Sequence, residues 1–202
     1  MKNTKISLLL IFVSLTVFSF GQKVVSVEGN CDFIKGEKEI KIVYDYSEMS
    51  VGKFNSEEDY VNEKVAEGNK KEAGKGDKWK DSWYGSRERV YHVKFETLFN
   101  KGLAKRGITG SQDADGAKYT LIVKTTFTEP GFNVGVMKRP SAINVEYIFV
   151  ETGTENVIAK FTQEGIPGSQ AAGFDYDTST RISESYAKAG KMLAAYIYKK
   201  TK

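Results

Sequence analysis

Three stretches of the chain set apolar against polar residues with a period of two. Tyr119, Leu121, Val123 and Phe127 alternate with Lys118, Thr120, Lys124 and Thr126. Ile143, Val145, Tyr147 and Phe149 alternate with Asn144, Glu146, Ile148 and Val150, and a turn at Thr152-Gly153-Thr154 leads into Val157, Ala159 and Phe161. A period of two puts successive side chains on opposite faces, so these runs predict a strand meander over 118–163. Ile40, Ile42, Tyr44 and Tyr46, spaced by Lys41, Val43 and Asp45, predict a further half-buried strand near 39–46. A shorter run, Lys23 to Val27, ends at Gly29-Asn30.

Between and after these strands the period changes to that of a helix. Ser56 followed by Glu57, Glu58 and Asp59 reads as an N-cap with acids in the first turn. Val61, Val65 and Gly68 would share one thinly apolar face, which suits a surface helix. From Ser86 a stronger stripe follows: Tyr91, Phe95, Leu98, Phe99 and Gly102-Leu103. Lys105 and Arg106 suit its negative end, and Gly107 suits the left-handed position beyond it. Gly74 to Gly85, with Trp79, Trp83 and Tyr84, reads as a loop. A last helix over Ser179 to Lys199 presents Ile182, Tyr186, Ala189, Leu193 and Ile197 on one face. The order predicts an α+β fold: an antiparallel or mixed sheet, the meander plus the strand near 39–46, with helices packed on one face.

The amino terminus has no such period. Lys2 and Lys5 precede Ile6 to Phe20, an uncharged run of 15 residues, and Ser19 and Gly21 stand three and one residues before a cut at Gln22. That is the make-up of an export signal, and a membrane-spanning helix needs roughly 20 residues. The expected product is therefore exported, to the periplasm or the exterior. It is a single α+β domain over 22–202 with no transmembrane segment. A domain of that size buries roughly 70% of its unfolded surface and can stand on its core without cross-links. Cys31 is the lone cysteine, so no internal disulfide forms; it reads as a small buried hydrophobe, with an intermolecular disulfide as the other possibility. Without Lys2 and Lys5 the balance is 28 basic to 26 acidic residues. Lys70, Lys71, Lys75, Lys78 and Lys80 are interrupted by Glu72, Asp77 and Asp81, which excludes the sustained basic stripe of a nucleic-acid binder.

Catalytic chemistry is hard to place. His92 is the only histidine, four residues from both Glu88 and Glu96, and it reads as part of an exposed charged helix face. Neither a metal nor another cofactor is expected. Asp113-x-Asp115-Gly116 lacks the further oxygen ligands of a calcium loop, and Gly68 to Lys75 has the wrong spacing for a phosphate-binding loop. Two long connections, Glu129 to Pro140 and Glu164 to Asp177, leave the same end of the meander; hairpin connections usually have about two to five residues. They carry Phe132 and Met137, and Phe174 and Tyr176, as a candidate partner contact, with Val134, Val136 and Ile166 beside them. The same side chains could instead cap the open end of the core. Trp79, Trp83 and Tyr84 form a candidate ligand platform for a glycan or peptide, the alternative being that they pack inward. A hydrolase whose carboxylates converge only in space is a further alternative. So is self-association through the second sheet face, where Ile122, Ile148, Val150 and Ile158 interrupt polar residues.

The helix ending at Gly107, the strand AKYTLIVKTTF, the hairpin INVEYIFVETGTENVIAKF and a glycine-rich loop before the last helix carry a resemblance. Over about Val90 to Lys199 the chain resembles small exported bacterial domains of unknown function, similar in fold to the TolB amino-terminal domain and the periplasmic domain of the curli secretion lipoprotein. YDYSEMSVGKFNSEEDYV and GDKWKDSWYGSRERVY resemble a separate exported family of unknown function. The resemblance implies a non-enzymatic envelope role in protein–protein recognition, assembly or scaffolding, the partner being another envelope protein or a second copy. It transfers no catalytic residue. Many members of the wider group carry a lipid-anchor cysteine after the leader, which this chain lacks.

Overall fold

The structure, a computed structural model, describes residues 24–134, 137–168 and 177–202. The leader and the two aromatic residues Phe174 and Tyr176 lie outside the described residues. Its centre is a mixed sheet. The meander consists of β5 (Tyr119–Glu129), β8 (Ala142–Glu151) and β9 (Val157–Pro167), paired antiparallel. β1 (Val24–Glu28) adds antiparallel to β9. On the other side, β2 (Glu39–Asp45) lies parallel to β5, and β3 (Ser50–Val51) continues along the same edge of β5. β4 (Thr109–Ser111) closes that side, parallel to β2. Between β5 and β8 stands a separate hairpin of β6 (Phe132–Val134) and β7 (Met137–Arg139). The fold is α+β, and the sheet is mixed rather than purely antiparallel because the β2-to-β5 link is a helical crossover.

α1 (Glu57–Lys71) begins where the sequence predicts: Ser56 Oγ accepts from the Asp59 backbone N–H at 3.1 Å. The expected loop after it is instead a helix, α2 (Lys75–Ser86). Its glycines and charges disguise it, but they answer to packing. A Cβ at Gly76 would lie 2.1 Å from the Val65 carbonyl oxygen, and one at Gly68 would lie 2.6 Å from the Gly76 Cα. The two helices thus meet backbone to backbone.

α2 runs on through a π-helical turn, Arg87–His92, into α3 (Val93–Leu103), with right-handed helical dihedrals at both joints. Trp79, Trp83, Arg87, Tyr91, Phe95, Phe99 and Leu103 follow one another at intervals of four. On an α-helix each such step advances the face by ~40°. The π turn takes more residues per turn and rotates the stripe back. Tyr91, Phe95, Phe99 and Leu103 are accordingly all buried, and Gly107 has the expected left-handed backbone, φ 67°.

α4 (Thr178–Lys200) lies beside α3 on one face of the sheet, and its five predicted apolar positions are buried. Beneath them lie Ile40, Ile42, Leu121, Val123, Ile143, Val145, Tyr147, Phe149, Ala159 and Phe161. Cys31 joins this core, and burial pushes its thiol up to about 11; a buried, protonated thiol argues against the intermolecular disulfide. Among the described residues no helix is long and apolar enough to cross a membrane.

α3 and α4 approach closely. A Cβ at Gly190 would sit 2.3 Å from the Phe95 carbonyl oxygen, and one at Gly102 would sit 2.5 Å from the Ala194 Cβ. Gly190→Ala pushes a methyl into backbone that cannot turn aside, and should cost about 3 kcal/mol in urea unfolding. Gly102→Ala should cost less, and adding Ala194→Gly should restore most of the loss, since the swap conserves volume at the crossing.

Candidate functional site

A cleft of about 670 Å³ opens between the β2–β3 connection, the start of α1 and the junction of α2 with the π turn. The Arg87 guanidinium lies 3.9 Å from the centre of the Tyr46 ring and 5.0 Å from that of Tyr84. Its Nη2 donates to both Glu57 oxygens, at 2.5 Å to Oε2. Trp83 Nε1 donates to Glu57 Oε1 at 2.6 Å. With side chains only 19% and 13% exposed, Arg87 and Glu57 form a largely dry ion pair. Such a pair fixes geometry more than it adds stability.

The aromatic platform is divided by this arrangement. Trp83 is buried and stacks with Trp79 at 5.6 Å, and Tyr60 packs against both rings. Those two tryptophans belong to the α1–α2 contact and edge a smaller hollow of about 150 Å³. Tyr84 alone of the three walls the larger cleft.

Behind the cleft lies a buried polar chain. Tyr46 Oη is 3.1 Å from His92 Nε2, and the His92 ring stacks on Tyr44 at 3.6 Å. Tyr44 donates to Glu96 Oε1 at 3.3 Å, which also accepts from Gln112 at 3.0 Å. Deeper still, Tyr186 and Thr125 hydroxyls are 2.7 Å apart. His92 is therefore not on an exposed charged face, as its spacing suggests. The π turn rolls it inward while Glu88 stays exposed. Burial, helped by the Arg87 charge, holds its imidazole down at about 4, against a weaker pull from Gln112. Burial pushes Tyr44, Tyr46 and Tyr91 well above the usual phenol value and Tyr186 up to about 12. These groups stay neutral near pH 7 and hold one another in place.

Three carboxylates line the cleft: Glu48, Glu57 and Glu58. Glu48 is ion-paired with Lys124, and Glu57 is held by Arg87 and Trp83. A pair free to divide acid and base roles is not assembled from them. Asp115 of the polar turn is tied to Lys41 at 2.6 Å. Among the described residues no cluster of three metal-ligating side chains occurs.

The second candidate is the β6–β7 hairpin. Phe132, Val134 and Met137 are 42%, 60% and 61% exposed, so they do not cap the core; Ile166, from the neighbouring segment, is fully buried and does. The hairpin base is clamped. Arg181, buried in the first turns of α4, donates to the Pro130 and Gly131 carbonyls at 3.3 and 3.2 Å. Gly131 has φ 64°, and a Cβ there would lie 2.4 Å from the Arg139 carbonyl oxygen. The order of this segment as a hairpin is hidden in the sequence by Pro130 and Pro140 at its two ends.

No family model matches the chain, and no curated protein does. Two solved bacterial structures are similar to it. One is a PelC dodecamer from Paraburkholderia phytofirmans, at 14% identity over 84% of this chain and 96% of that one, TM-score 0.41. The other is protein XCC0632 of Xanthomonas campestris, DUF330, at 8% identity over 85% and 91%, TM-score 0.33. With TM-scores below one half, both leave function to this chain's own geometry.

The buried imidazole gives a pH signature. Between about 6.5, where an unfolded histidine titrates, and about 4, the unfolded chain takes up a proton that folded His92 refuses. Stability should therefore fall as pH is lowered through that window. His92→Phe keeps a ring on Tyr44 and cannot titrate. Its melting temperature should fall less than the parent's between pH 7 and pH 4.5.

Proposed function

We propose that this is an exported, single-domain, non-enzymatic protein of the cell envelope, acting through protein–protein recognition, assembly or scaffolding. The leader-like amino terminus supports export, to the periplasm or beyond. The observation that carries the contact reading is the exposed apolar set Phe132, Val134 and Met137 on a hairpin whose base is rigidly held. An ordered base and greasy exposed residues together mark an interaction site better than either alone. Phe174 and Tyr176, the other two residues of the expected contact, lie outside the described residues. The partner is another envelope protein or a second copy.

Phe132→Ser with Met137→Ser tests this. The doubly substituted protein should melt close to the parent, since exposed substitutions move stability by about 0.5 kcal/mol or less. Photo-crosslinks formed in the native cell from Val134 should disappear in that background. A large drop in melting temperature, or an unchanged crosslinking pattern, would count against the proposal.

A second reading, a glycan- or peptide-binding module, is favoured by the cleft beside Tyr84, whose volume suits a small ligand. Trp83 reaches the cleft through Glu57, so its fluorescence should shift on titration with cell-wall glycans or peptides. Tyr84→Ala should weaken any such response about tenfold or more. A flat signal across those ligands removes this reading. The hydrolase alternative has less support, because two of the three cleft carboxylates are held in ion pairs.

A further inference from the structure

The cleft beside Tyr84 holds a charge that nothing on its walls balances. Glu48 is ion-paired with Lys124, and Glu57 holds Arg87 and Trp83. Glu58 is left over: it is exposed, and among the described residues its carboxylate has neither a hydrogen bond nor an ion pair. The charges around the cleft do not cancel it. Asp45 and Asp59, on the adjoining turns, accept from the Ser47 N–H and the Ser56 hydroxyl. Lys53 is engaged with Glu63. Exposed Lys80, Asp81, Glu88 and Arg89, within about a turn of Tyr84, offset one another. The neighbourhood is therefore negative on balance, which disfavours a phosphate, sulfate or carboxylate ligand and favours a cation.

The same walls already hold one cation. The Arg87 guanidinium lies over Tyr46 at 3.9 Å, stands 5.0 Å from the Tyr84 ring and is met by the Glu57 carboxylate. A ring and a carboxylate acting together on a cation is a favourable arrangement, because the ring face is negative and the carboxylate fixes the head group. Tyr84 and Glu58 present the same two groups toward solvent. Tyr84 is 36% exposed, and its phenol is raised by burial and by the Glu57 and Glu58 charges, against Arg87, so Glu58 stands close to it. Met49 adds an apolar wall. Apolar surface beside a single free carboxylate suits a long aliphatic stem that ends in one positive charge. An amino sugar carries its ammonium on a hydroxylated ring and has no such stem. We infer that the cleft receives a lysine side chain of an extended peptide, its stem along Tyr84 and Met49 and its ammonium at Glu58. This inference rests on the peptide-binding reading given above and names the residue that the cleft recognises.

The test titrates the protein with a terminally blocked Gly-Lys-Gly peptide, its Nε-acetyl-lysine counterpart and a glucosamine trimer, following the backbone amide shifts of Glu58 and Tyr84. The lysine peptide should bind and the acetylated one should not, since acetylation removes the charge and keeps the stem. Binding should weaken as salt is raised from about 20 to about 200 mM. Glu58→Gln and Tyr84→Leu should each weaken it about fivefold, with melting temperatures near the parent's because both side chains are exposed. Equal binding of the two peptides, or an affinity that Glu58→Gln leaves unchanged, overturns the inference while the peptide reading survives. Binding of the glucosamine trimer without the lysine peptide overturns it and leaves the glycan reading. If none of the three binds up to about 5 mM, the inference and the reading beneath it both fall.

Discussion

The approach of α3 to α4 is the constraint on which the rest stands. Gly190 lets the Phe95 carbonyl lie against the α4 backbone, and Gly102 leaves room for Ala194. At that separation Phe95 and Phe99 from one helix and Tyr186 and Leu193 from the other share a single layer over β5, β8 and β9. A wider gap would lift one helix off the sheet and open the aromatic layer. The Tyr91–Tyr186 stack, with ring centres 5.0 Å apart, would be lost with it. The same contact fixes α4, and α4 carries the arginine that holds the hairpin.

The π turn is the second organising feature. Its extra residue per turn keeps the four-residue stripe in contact with the core from Trp79 to Leu103. It also divides neighbours in sequence between two environments: Arg87 goes to the cleft wall with Glu57 and Tyr46, while His92 goes to the interior with Tyr44. A charged group and a neutral base five residues apart thus meet at Tyr46, whose ring faces Arg87 and whose hydroxyl lies 3.1 Å from His92 Nε2. Arg87 and Trp83 are held on that side by Glu57, and Tyr46 by His92.

Much of the fold was legible from alternation. The meander strands, the strand at Ile40 to Asp45, the Ser56 cap and the apolar face of α4 all follow from local patterns that tertiary packing did not override. α2 escaped because Gly76 and Gly85 depress helix propensity, although the interval of four from Trp79 to Trp83 was a readable helical signal. The inward turn of His92 could not be read from spacing: Glu88, His92 and Glu96 align only on an unbroken α-helix, and nothing local announces a π turn. Of the candidate side chains, the sequence brought forward Phe132, Met137 and Tyr84 but missed Arg87 and Glu57. Their pairing spans 30 residues and is closed by the packing of α1 on α2.

The clamp at Arg181 gives the hairpin an unusual mechanical setting. Its guanidinium grips two carbonyls at the root of a short, greasy projection and also the Thr178 hydroxyl in its own helix. The position of the projection is thereby tied to the first turns of α4, so that neither can shift without breaking these hydrogen bonds.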